Sequence, residues 1–548
     1  MGLGVLEPRS ATGTVPGTVV LEAEAVDRVD GHSELLKRAS GKHNDIILTP
    51  QPSDDPNDPL NWPSWKKYLT MLILVMGCCF CGSITGPLLN ASLAILAVEL
   101  DRSFGQITLI SGYQLLVAGA CGPLVSALSR KYGKRPVFLF SSTICLVGTI
   151  IGSVSYTYNT LLAARTIQGF TLAAYESLVF SAVGDLFFVH QRGVWTMVMT
   201  FTLTCVSNLV SVVSGSITFA LGWHYLFHIM IACVGFQLIL LILFVPETNY
   251  RRVPSTVASS SASGNGDDGI EKEGGVIGVE DVQQVEALRR IPKKKTFWQE
   301  MAVYNGTFSD ENLFALIIAP FVVCSNTLAL WTIFITGAVT SFYVAIAYVT
   351  AQLFSVPPYN LNTSQVGYIS LGPFIGGALG AVLIGIMLDP LSLWLTKKNK
   401  GIYEPEFRLA LTPLGMLCGI GLFGFGALSA DLDSVYGVAV MWGVMLCGCS
   451  FIIGPYSAYT IDAFREMASE IFIANVMFKN FLFYGYSYFV NNWTASAGPK
   501  APFFTFGGIS LVFVSTTVLV YMFGKRYRWF WATHNILEKL NITTHAEM

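Results

Sequence analysis

The run Leu161–Leu186, LLAARTIQGFTLAAYESLVFSAVGDL, is long and apolar enough to cross a bilayer as a helix, yet carries Arg165, Gln168 and Glu176 within it. Arg165, Gly169, Leu172 and Glu176 recur at i, i+4, i+7 and i+11. A helix gathers them on one stripe, roughly 16 Å from end to end. A charge at bilayer depth costs roughly 2.5–3.5 kcal/mol on insertion scales. Two of opposite sign on one stripe therefore point to a face turned towards protein or water. Two readings stand: a structural pair satisfied by neighbouring helices, or a site for substrate or protons.

The rest of the chain supplies the neighbours. Of 548 residues, 53% are hydrophobic and 12% charged, against about 25% charged in an average soluble chain. Further apolar runs follow in close succession, each able to cross about 30 Å of hydrocarbon. Expected spans in the first half are 68–96, 107–128, 136–156, 161–185, 194–219 and 224–246. A second series is expected at 314–352, 366–388, 408–429, 434–458, 468–491 and 502–523, the first of these too long for a straight span, so that part of it lies in the interface or it kinks at Pro320. The fold class is thus an all-α membrane protein of twelve transmembrane helices in two six-helix bundles, 67–249 and 312–526. Residues 1–66 are expected to be disordered, 250–311 a flexible Gly/Ser-rich tether, and 527–548 a tail.

Local charge sets the expected orientation. Arg130, Lys131, Lys134 and Arg135 follow span 2; Arg251, Arg252, Arg289, Arg290 and Lys293 to Lys295 lie in the tether. Lys397, Lys398 and Lys400 follow span 8, whereas the opposite links hold only Arg102 and Lys500. By the positive-inside rule the termini and tether are cytoplasmic. The sequons at Asn362 and Asn492 then face outside, as candidate glycosylation sites. The eleven cysteines sit mostly within apolar runs and lack the paired spacing of a zinc site. No nucleophile–base arrangement, metal-ligand spacing or phosphate-binding G-x-x-x-x-G-K-[ST] loop stands out, and no basic domain suggests nucleic acid. The chain is not expected to be an enzyme or to need a cofactor.

Six spans, a tether and six more resemble the major facilitator superfamily, and local motifs share the likeness. Ser126–Val137, SALSRKYGKRPV, is similar to the superfamily's signature loop G-x-L-x-D-R-x-G-R-R, and Gly385–Asp389 repeats its start. Its gating residues here are Arg130, Lys131, Gly133, Arg135 and Asp389. Arg165-Thr-Ile-Gln168-Gly169 resembles the span 4 R-x-x-Q-G motif associated with proton coupling. Pro246-Glu247-Thr248, Glu404-Pro-Glu-Phe-Arg-Leu409 and the Asp-Pro-Leu-Asn-Trp-Pro entry to span 1 resemble fungal drug:proton antiporters, in the subgroup near yeast polyamine and cation carriers. Two departures stand out. Arg130 occupies the position of the signature aspartate, so a lock there needs other partners. In span 5, Val210-Ser211 and Ser214-Gly215 stand where antiporters carry Gly-Pro and a glycine pair, leaving only Gly215.

Polar side chains on the expected cavity helices form the candidate pocket: Asn90, Gln114, Glu176, Asn208, Asn326, Trp331, Tyr456, Tyr459, Asn475, Lys479 and Asn480. Lys479 lies near the middle of its span, beyond easy snorkelling reach, so Glu176 is its expected partner across the two halves. Gly372, Gly376 and Gly380, four apart on span 8, form a small-residue packing face. The resemblance implies rocking of two halves about a central cavity, powered by a proton gradient. The expected cargo is a small organic molecule (toxin, drug or secondary metabolite) moved outward. The alternatives are proton-coupled uptake of polyamines or related cations, or a non-transporting sensor. A monomer in the plasma membrane is expected, with the vacuolar membrane as the alternative.

Overall fold

The computed structural model describes residues 3–7, 15–20, 53, 55–250, 294–309, 311–432 and 434–534. Twelve long helices run through the described residues. The first half holds α1 (Ser64–Ile84, its last turns π-wound), α2 (Phe104–Tyr132), α3 (Lys134–Ser153), α4 (Tyr158–Leu186), α5 (Val194–Leu221) and α6 (His224–Phe244). The second holds α7 (Thr327–Phe354), α8 (Thr363–Lys398), α9 (Pro405–Ala430), α10 (Val435–Ala463), α11 (Ala468–Ala497) and α12 (Lys500–Thr533). Ten are long and apolar enough to cross a membrane. The two others, α4 and α11, are 29 and 30 residues long and fall short because of their polar side chains. Several of those side chains face protein. In α4 both Arg165 and Gln168 are buried, and in α11 so is Asn480.

The halves meet along two helix pairs, α2 against α11 and α5 against α8. Close approach rests on small residues. A Cβ on Gly215 of α5 would sit 2.6 Å from the Thr363 carbonyl, and one on Gly367 of α8 2.4 Å from the Ser211 carbonyl. Within the second half, α8 and α10 touch backbone to backbone. Gly372 and Gly376 offer hydrogen where a Cβ would lie 1.9 and 2.0 Å from the Ala439 and Gly443 carbonyls.

Several expected boundaries move. The seventh span does not kink at Pro320. A short helix, Leu313–Val323, runs through that proline and stops three residues later. Asn326 then restarts the chain as α7, its Oδ1 accepting the N–H groups of Leu328 and Ala329 at 3.1 Å each. α12 continues past 526 to Thr533, taking up the first part of the expected tail. Residues 251–293 of the expected tether, the tail beyond 534 and most of 1–52 lie outside the described residues.

The expectation of disorder for 1–66 fails where that segment is described. Val19–Val20 (β1) pairs antiparallel with Ile402–Tyr403 (β2), and Val5 and Val15 are buried. Thr18 Oγ1 donates to Glu404 Oε2 at 2.8 Å, and Leu6 N–H donates to the Met522 carbonyl at 3.0 Å. A strand edge and two apolar side chains give these residues partners that a polar composition does not reveal.

Candidate functional site

α4 and α11 cross the middle of the bundle from opposite halves and bring one charge each. Lys479 Nζ lies 3.1 Å from Glu176 Oε1, and Asn480 Nδ2 donates to Glu176 Oε2 at 3.0 Å. The side chains of Lys479 and Glu176 are 19% and 12% exposed, so the pair is neither in bulk water nor sealed. Adjacent positions 479 and 480 reach one carboxylate because each takes a different oxygen of it. Lys479 also lies 5.9 Å from the Phe483 ring centre, one turn on.

Glu176 lines a cavity between the halves. First-half residues on its wall include Ser83, Asn90, Ser111, Ser207, Asn208 and Ser211; the second half supplies Tyr343, Tyr348, Ser370, Trp442 and Phe483. Of the polar residues picked from sequence, the structure brings Glu176, Asn90 and Asn208 to this wall, with Lys479 and Asn480 bonded to Glu176. Asn208 Nδ2 donates within its own helix to the Thr204 carbonyl at 2.7 Å.

The others lie elsewhere. Arg165 is fully buried, donating to the Thr85 carbonyl at 2.5 Å and to Gln168 Oε1 at 3.1 Å. Gln168 Nε2 donates to Thr149 Oγ1 at 3.0 Å. The span 4 motif thus clamps α4 to the end of α1 and to α3, all in one half. Gln114 is buried beside α4, its backbone carbonyl 2.3 Å from where a Gly169 Cβ would be. Trp331 stacks on Tyr456 at 4.7 Å and bonds Thr516, while Tyr456 bonds Thr517. Asn475 Oδ1 accepts from Thr336 at 3.0 Å, and Tyr459 is buried. These residues hold the second bundle together.

Sequence reading missed Tyr343, Tyr348, Trp442 and the serines. Ser207, Ser211 and Ser214 recur at i, i+4 and i+7 on α5, a polar stripe that could have drawn notice. The aromatics carry no such signal, because core and cavity rings look alike in sequence.

The signature loop is built at one end of the bundle, called here the basic end. Gly133 sits at φ +101° between α2 and α3, and a Cβ there would lie 2.3 Å from Glu247 Oε2. Glu247 accepts the N–H groups of Lys134 and Arg135 at 2.9 and 3.1 Å, capping α3. Burial pushes its carboxyl up from the ordinary value, opposed by those backbone bonds. Lys134 pairs with Asp185 at 2.6 Å, and Arg135 donates to the Val245 and Ile242 carbonyls. Arg130 pairs with Glu470 of α11 across the halves at 2.7 Å. In the second half Asp389 meets Arg408, which also pairs with Asp462 at 3.0 Å. At the far end, Asn491 Nδ2 donates to Thr108 Oγ1 at 2.9 Å, also across the halves. Asn362 and Asn492 are exposed at that end, the first capping α8 and the second within α11.

Paired six-helix halves, a polar cavity between them and a loop of this form at one end have a known counterpart. The sequence model of the Major Facilitator Superfamily matches residues 71–485. The chain belongs to that superfamily. MFS-type transporter C1271.10c of Schizosaccharomyces pombe is 24% identical, over 99% of this chain and 97% of its own. Protein HOL1 of Saccharomyces cerevisiae is 22% identical, over 93% and 94%. MFS transporter cpaT of Aspergillus oryzae is 25% identical, over 86% and 90%. A crystal structure of a D-xylose–proton symporter overlaps with a TM-score of 0.55 at 14% identity, covering 82% of this chain and 97% of that one, which is a likeness of fold. As a superfamily member, this chain is a multi-pass membrane transporter of small molecules.

Proposed function

We propose that the protein exports a small organic molecule, such as a toxin, drug or secondary metabolite, in exchange for protons. It works by alternating access, as a monomer without a bound cofactor. The observation that carries this reading is the Glu176 carboxylate, held by Lys479 and Asn480 from the opposite half at the edge of the cavity. A proton on Glu176 removes the charge that Lys479 answers and weakens both bonds. One event then releases cargo contacts and a tie between the halves. A single proton driven by about 100 mV and one pH unit carries about 3.7 kcal/mol, enough for a gradient of several hundredfold. The basic end faces the cytoplasm of the plasma membrane, or of the vacuolar membrane, and Asn362 and Asn492 face away from it as glycosylation sites.

A second reading, proton-coupled uptake of polyamines or related cations, is favoured by one feature. Glu176 is the one acidic residue on the cavity wall among the described residues, and a cation would compete with Lys479 for it. Purified protein in liposomes under an imposed pH gradient tests both. Export predicts proton-driven flux opposite to the proton; uptake predicts flux with it. Glu176→Gln abolishes gradient-driven flux in either case while solute exchange persists. Unchanged coupling in that variant removes Glu176 from the mechanism.

A further inference from the structure

Residues 294–309 and 311, expected as the end of a flexible tether, are instead fitted against the signature loop. Phe308 N–H donates to the Lys131 carbonyl at 2.9 Å, and Lys131 Nζ donates to the Glu311 carbonyl at 3.1 Å. Arg135 donates to the Met301 carbonyl at 3.0 Å and lies 3.3 Å from its sulfur. Tyr304 packs on Tyr132 with ring centres 6.4 Å apart. The segment therefore contacts the residues flanking the Gly133 turn.

Its other face is unusual for a loop. Phe297, Trp298 and Val303 are exposed, Trp298 at 80%, next to exposed Lys294 and Lys295. This face is fixed beside the first turn of α1. Lys66 pairs with Glu300 at 2.7 Å, and the Lys295 N–H donates to Asn57 Oδ1 at 2.9 Å. Trp65 and Tyr68 of α1, also exposed, stand at the same end. The apolar run of α1 begins at that end, and Trp and Tyr are favoured where such a run meets the headgroups. Glu300 is answered by Lys66, so the charge this face presents is that of two lysines.

We propose that Lys294–Tyr304 is a lipid-binding elbow, with anionic phospholipid headgroups as its partner and the signature loop as the part it steadies. The aromatics enter the interfacial layer and the lysines meet the phosphates, which presses Met301 and Phe308 onto Arg135 and Lys131. Lipid charge thereby reaches the turn at Gly133 through backbone bonds. The elbow is separate from the cavity and stands whether the cargo leaves or enters.

Hydrogen exchange on the full-length protein tests this in nanodiscs of phosphatidylcholine alone and of phosphatidylcholine with phosphatidylglycerol. Amides of 296–304 and of 131–135 are expected to slow together, several-fold, in the anionic discs. In the double variant Lys294→Glu, Lys295→Glu that slowing is expected to vanish, while exchange in α4 and α11 stays unchanged and reports intact folding. Equal exchange in both discs overturns the elbow, as does slowing that survives the double variant. Slowing confined to 296–304 overturns its link to the loop.

Discussion

Arg130 and Glu470 form an ion pair of 2.7 Å across the two halves, their side chains only 9% and 1% exposed. The pair joins the end of α2 to the first turn of α11 with the sign reversed from the superfamily's usual signature aspartate. A glutamate in the first turn of a helix also meets the positive end of its dipole. Removing Arg130 leaves the buried Glu470 carboxylate without its ion-pair partner, at about 3–5 kcal/mol. Arg130→Ala and Glu470→Ala are each expected to lower transport and to raise labelling of cysteines placed in the interface at the basic end. The exchanged double variant Arg130→Glu, Glu470→Arg should recover part of both. Double-variant behaviour no better than either single would mean that the pair does not hold the halves.

Glu247 is a case where pH separates two roles. Its carboxyl titrates above the ordinary 4.5 because burial disfavours the charge. The folded protein thus holds that proton more tightly than the unfolded chain. Its contribution is largest below 4.5 and is lost as pH rises through the folded value. Melting temperature followed against pH in detergent should show wild type losing ground to Glu247→Gln across that window. Parallel curves would contradict the shift. Gly133→Ala should be destabilising at every pH, since a Cβ is strained at φ +101° and collides with Glu247.

Gly376 tests the packing of α8 on α10. A Cβ there would lie 2.0 Å from the Gly443 carbonyl, and a backbone oxygen within a helix cannot turn aside as a flexible side chain can. Gly376→Ala is expected to cost about 1–3 kcal/mol, read as a lower melting temperature. Gly86→Ala is the control, since no atom beyond its immediate chain neighbours lies within 4 Å of a Cβ there. Equal melting of the two variants would count against close contact of α8 and α10.

The architecture was legible because most spans announce themselves by length and apolarity, while the two most polar, α4 and α11, show themselves by length and by their place between neighbouring spans. The link between Glu176 and Lys479 was legible for a related reason: a charge far from either interface needs a partner, and few exist. The surroundings were not. Arg165 looked like part of the same stripe, but its partners are the Thr85 carbonyl and Gln168, and a backbone carbonyl 80 residues away leaves no mark on a sequence. Tyr343 and Trp442 line the cavity, yet resemble the rings that Trp331 and Tyr456 stack away from it. The docking of β1 on β2 was hidden for a third reason: a two-residue strand has no periodicity to read.

Lys479 and Glu176 differ from Arg130 and Glu470 in that their pair is proposed to break in every cycle. Lys479→Met leaves Glu176 with Asn480 alone, and Glu176→Gln leaves the ammonium without a counter-charge. Each single change is expected to destabilise the protein, whereas the double variant Glu176→Gln, Lys479→Met removes both charges and should be more stable than either. The coupling between the two, measured by a thermal double-mutant cycle, is expected at about 0.5–3 kcal/mol. Transport should behave differently. If the proton acts at Glu176, the double variant regains stability without regaining gradient-driven flux, because no carboxyl is left to titrate. A double variant that recovers both would place the proton elsewhere and leave this pair as a structural tie.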